Sequence, residues 1–173
     1  MITNPEVLKG IRDSWETVRI LQARIHTTLH TGLFSLVPVM TNFQGVPESL
    51  LLLFAVSVLE TTLEQLRDQG VFVYKRRGLN GLMNASKNAL PWQNFENIQK
   101  IKNRRDQVAH HREFLRSGQC AQDLDAIENE LLAWRVLEHP IKGTYGISFQ
   151  STSLGKELLP MTPDAGADQG CRR

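Results

Sequence analysis

"SLLLLFAVSVL", residues 49 to 59, is the most apolar stretch of this 173-residue chain, and whether it crosses a membrane or fills a protein core decides the fold. A membrane-spanning helix needs about 20 apolar residues. This run stops well short of that, contains two serines and is bracketed by Glu48 and Glu60. It reads as part of a core helix, with no membrane as partner. Helical patterning continues from Pro47 to Gln69, apolar on most sides up to Leu59 and one-sided afterwards, with Gly70 where a helix commonly ends. A helix apolar nearly all round belongs at the centre of a bundle.

Working outward, Thr3-Asn4-Pro5-Glu6 opens a first long helix: a capping side chain in Thr3 or Asn4, a proline suited to the first position and an acid in the first turn. Val7, Leu8, Ile11, Trp15, Val18, Leu21, Ile25 and Leu29 then recur at spacings of three and four. Residues 30 to 46 are apolar without a period and carry Gly32, Pro38 and Gly45, which predicts a packed connector. After the central helix, "LNGLMNASKNAL" predicts a short helix closed by Pro91. A third long helix starts near Trp92 and breaks at Ser117-Gly118-Gln119. A fourth carries Leu124, Ile127, Leu131, Trp134 and Leu137 and stops at His139-Pro140. The sum is an all-α, antiparallel four-to-five-helix bundle with small extended segments near 71–74 and 145–152. One domain is expected over residues 1–159, with its core in 5–138, followed by a disordered tail at 160–173 that is poor in large apolar groups.

Composition narrows the function. Hydrophobic residues make up 41% and charged residues 22%, with a net charge of +2, so a nucleic-acid partner would have to be held by a local basic cluster. Cys120 and Cys171 form neither a disulfide framework nor a zinc pattern, and no cofactor is expected. His26 and His30 have a ligand spacing but no acidic or cysteine partner beside them. The first residues lack a secretory pattern, and a cytoplasmic location is expected.

Chemistry concentrates in "NRRDQVAHHREF", residues 103 to 114. On a helical wheel with Ile98 at zero, the apolar face centres at about 340°, and Arg105 falls at about 340° on the same count. A guanidinium directed toward a core must be paired or face a cleft. His110 falls at about 120°, so one straight helix does not bring the two together. Convergence requires unwinding near His110, or a second copy of the segment across a two-fold axis.

The segment Arg105-Asp106-Gln107-Val108-Ala109-His110, placed on a helix after a long apolar one and before another amphipathic one, resembles the R-x4-6-H motif of the HEPN family (higher eukaryotes and prokaryotes nucleotide-binding domains). The resemblance covers roughly residues 5 to 138. It implies a homodimer that cleaves RNA without a metal, with Arg105 and His110 of both protomers lining a shared cleft, as in toxin–antitoxin or defence ribonucleases. Attack of a ribose 2′-hydroxyl on the adjacent phosphate needs a proton acceptor and donor, which histidine supplies near its reference pKa of about 6.5. It also needs positive charge on the developing phosphorane, which the fork of arginine supplies. Asp106 and His111 are supporting candidates, and Glu60 joins them because some members use an acid there. Lys102, Arg104 and Arg112 are candidates for holding phosphates. "KRRG", residues 75 to 78, is a further basic run. The resemblance also implies an antitoxin or nucleotidyltransferase partner. Members silenced by nucleotidyltransferases often carry a tyrosine where this chain has Arg112. A non-catalytic RNA- or nucleotide-binding module of the same fold, or a helical interaction partner, are the competing expectations.

Overall fold

In a computed structural model the described residues are 2–30, 45–75, 78–111, 113–115 and 118–141. They form five helices and no strand: α1 (Pro5–His30), α2 (Val46–Asp68), α3 (Leu79–Ser86), α4 (Phe95–His111) and α5 (Gln119–Ala133). The expected all-helical bundle is what the chain adopts. The connector, the 145–152 arm and the 160–173 tail fall outside the described residues, apart from the connector's ends at His30, Gly45 and Val46.

By length and composition α2 could cross a membrane, but in the fold it is the central helix, with α1, α3, α4 and α5 all packed on it. Leu52, Leu59 and Leu63 on α2 are fully buried, each worth about 1.5–3 kcal/mol relative to exposure. Trp15 and Val18 of α1, Leu82 and Met83 of α3, Ile98 and Ile101 of α4, and Leu124, Ile127 and Leu131 of α5 complete the core.

The helix ends follow local chemistry. Asn4 Oδ1 accepts the backbone N–H groups of Glu6 and Val7 at 3.0 and 3.4 Å, capping α1. After α2, Gly70 takes φ 76°; its N–H donates to the Arg67 carbonyl at 2.8 Å, and Val71 N–H donates to Leu66 at 3.1 Å. That pair of bonds closes a helix most cheaply with glycine at the left-handed position.

Two boundaries differ from the sequence expectation, and one open alternative is decided. The run at 71–74, whose β-branched and aromatic residues fit either a strand or a loop with buried side chains, is the loop: Phe72 is buried as an anchor while Val73 is exposed, and among the described residues no neighbouring segment offers a ladder. α4 begins at Phe95, not near Trp92, because Glu130 on α5 accepts the backbone N–H groups of Gln93 and Asn94 at 2.8 and 2.7 Å, fixing where the helix starts. Trp92 packs edge-on against Phe95 and Trp134 instead. α5 ends at Ala133, ahead of His139-Pro140, because Arg135 adopts φ 56°. Arg135 and Val136 N–H then donate back to Leu132 and Leu131, both at 2.9 Å. Leu137 still reaches the core, from outside the helix.

The helices α1 and α2, α2 and α4, and α4 and α5 pack antiparallel, whereas α2 and α5 run parallel, with Cys120 Sγ in the first turn of α5 donating to the Glu48 carbonyl in the first turn of α2. Thr3 N–H donates to Gln69 Oε1, tying the start of α1 to the end of α2. Glu130 meets the start of α4, whereas Asp123, earlier on α5, meets Arg104 further along α4. Leu115, beyond α4, donates to Ser49 in the first turn of α2. α1 and α5 are joined through polar groups: Glu128 accepts from Trp15 Nε1 and Arg19 Nε, both at 2.7 Å, and Arg19 Nη2 reaches Asp125 at 2.8 Å. Burial works against the Arg19 charge, but the hydrogen bonds it donates to Glu128 and Asp125, with their negative charge, outweigh it and hold its pKa above the usual value.

Candidate functional site

Only Ile98 and Ile101 of α4 are buried, so the second half of that helix stands at the edge of the core. There it borders a cleft of about 390 Å³. Glu60 of α2 lines one part; Tyr74, Gly78, Leu79, Asn80 and Gly81 form a wall from the preceding loop and α3; Lys102, Arg105 and Asp106 come from α4.

Arg105 lies where the helical wheel places it, on the inward side, with its side chain 32% exposed. Its Nη1 donates to Asp106 Oδ1 at 3.1 Å, while its Nε is buried without a hydrogen-bond partner among the described residues. Lys102 Nζ meets the other oxygen of Asp106 at 2.7 Å, one helical turn away. Partial burial works to raise the Asp106 carboxyl, but hydrogen bonds and charge from Lys102 and Arg105 outweigh it and hold it below the usual carboxylate range. Asp106 is thus an ionised strut between two cations. Among the described residues two cations and two carboxylates line the cleft, so it offers donors and acceptors together.

The other candidates separate from this cluster. His110 and His111 are exposed in the last turn of α4 and do not line the cleft. His110 stands about 7.5 Å along the axis from Arg105 and about 140° around it, so a single chain does not bring the pair to one ligand. Ala109 falls at about 20° on the helical wheel, on the apolar face, yet it is exposed, because the core ends before it. Arg104 turns to α5, where its Nε donates to Asp123 Oδ2 at 2.9 Å and its Nη2 to Asp123 Oδ1; Gln119 Nε2 shares that oxygen at 3.1 Å. This fork clamps α4 to α5 and leaves Arg104 away from the cleft. Arg112 lies outside the described residues, as do Arg76 and Arg77 of the basic run.

Glu60 reads in the sequence most simply as part of an exposed polar stripe; in the fold it lines the cleft. Tyr74, Asn80 and Gly81 were not singled out as site residues. One signal points to them: a glycine inside a helical pattern often marks a close approach. A Cβ on Gly81 would overlap the phenol end of Tyr74. Cys120 is buried and its thiol is pushed up to about 12 by burial, then by Glu48 and Asp123, so it is an inert packing group. Among the described residues no three His, Cys, Asp or Glu side chains are grouped to hold a metal. No known family model, curated protein or solved structure matches the chain.

Proposed function

We propose that this chain is a HEPN-like ribonuclease of a toxin–antitoxin or defence system, cleaving RNA without a metal as a homodimer. The observation that carries this reading is Arg105, turned inward on α4 to border a cleft, with a buried Nε that has no hydrogen-bond partner among the described residues. A phosphate oxygen in the cleft would accept from the exposed part of the guanidinium and gain the charge of Lys102 beside it. Arg105 then stabilises the phosphorane formed by 2′-hydroxyl attack, and His110 of a second copy exchanges the protons. Exposed Leu50, Phe54 and Phe114 lie at the same end of the bundle as His110 and His111, which suits that face to a partner copy.

The test is incubation of the purified protein with mixed RNA in EDTA, beside Arg105→Ala and His110→Ala. The reading requires cleavage lost in both variants and products ending in cyclic phosphate. A second reading, an RNA-binding module that does not cut, is favoured by the distance of His110 from the cleft. It is recognised by RNA bound intact, with binding weakened by Arg105→Ala and unchanged by His110→Ala.

A further inference from the structure

We propose that Tyr74, seated against Gly81, is a specificity-determining residue of the cleft, the platform for a nucleobase whose attached phosphate is taken by Arg105 and Lys102. This rests on the reading of the cleft as an RNA phosphate site and names what accompanies the phosphate there. Four observations carry it.

The cleft is too mixed for a bare anion. Among the described residues, Lys102 and Arg105 are matched by Glu60 and Asp106, so a simple phosphate would meet carboxylates as well as cations. A ligand with an anionic end and N–H or O–H donors beside it satisfies both sets. Its volume of about 390 Å³ lies within the range of about 300–1,000 Å³ that small ligands occupy.

The aromatic wall is built into the fold. Tyr74 follows the buried anchor Phe72, and its phenol end occupies the space a side chain would take at residue 81. Only glycine leaves the ring there. Tyr74 also belongs to a different wall from the arginine: it comes from the loop before α3, and Arg105 comes from α4. Base–aromatic stacking tolerates every base, because each has a ring face.

The test titrates adenosine 5′-monophosphate, uridine 5′-monophosphate and ribose 5-phosphate into the full chain by calorimetry. Ribose 5-phosphate carries the anion without the ring. Both nucleotides are expected to bind about tenfold tighter than ribose 5-phosphate. Tyr74→Leu and Gly81→Ala should remove that excess and Tyr74→Phe keep it, with ribose 5-phosphate binding alike in all four proteins. Gly81→Ala displaces only the far end of one side chain, so its melting temperature reports whether the fold persists. Equal affinity for nucleotide and sugar phosphate, or nucleotide binding indifferent to Tyr74→Leu, overturns the proposal. In cleavage assays Tyr74→Leu should raise KM with kcat retained. Tyr74-dependent nucleotide binding by a protein that cuts no RNA sinks the ribonuclease reading and keeps this one; RNA cleavage whose KM ignores Tyr74→Leu and Gly81→Ala does the reverse.

Discussion

Glu128→Ala tests how the bundle holds α5, the helix that positions α4. In the native chain one carboxylate oxygen of Glu128 takes hydrogen bonds from Trp15 Nε1 and Arg19 Nε, both at 2.7 Å, and the side chains of Arg19 and Glu128 are each only 6% exposed. Truncation leaves a buried guanidinium and a buried indole N–H without that acceptor. Breaking a buried pair from one side costs about 3–5 kcal/mol. Asp125, 68% exposed and 2.8 Å from Arg19 Nη2, still holds the guanidinium, which places the expected cost at the lower end, about 3 kcal/mol. For a chain of this size that lowers the melting temperature by about 6–12 °C. In urea the midpoint should fall with the slope unchanged. The companion Arg19→Met/Glu128→Leu removes both charges at once and should recover the share of the loss that the unpaired guanidinium causes, since apolar replacement of a buried pair is often neutral or better, while the Trp15 N–H stays without its acceptor. A single-variant loss under about 1 kcal/mol, or a double variant no better than Glu128→Ala, would refute the assignment of this network as an electrostatic tie between α1 and α5.

Mixing Arg105→Ala and His110→Ala subunits should restore cleavage that neither shows alone, to about a quarter of wild type for random pairing, because half the dimers are mixed and each holds one intact site of two; no recovery in proven heterodimers argues against a shared site. Asp106 should contribute to acid stability. Its native pKa lies below the usual value, so its contribution is present above the unfolded pKa of about 3.9 and is lost as pH falls through the native one. The stability gap between wild type and Asp106→Asn should therefore be constant near neutrality and close below about pH 4, and a gap that widens on acidification contradicts the strut. Cys120, with its thiol at about 12, should stay unlabelled by iodoacetamide at pH 8 in the folded protein and react in urea, as read by peptide mass spectrometry.

The helices were legible in the sequence because burial imposes a period: spacings of three and four marked α1, α4 and α5, and the near-uniform apolarity of residues 49–59 marked α2 as central. Arg105 was legible for the same reason, since a cation on an apolar stripe must meet a partner or an opening. Boundaries decided by tertiary partners were not. Glu130 sets the start of α4 from another helix, and Arg135 ends α5 in a conformation that glycine usually signals. Nor could spacing along one helix separate Arg104, committed to Asp123, from Arg105, open to the cleft, because that division depends on which neighbour stands on each side. Local periodicity is written residue by residue; the cleft exists only once α2, α4 and the Tyr74 loop meet, because side chains far apart in sequence become neighbours through packing alone.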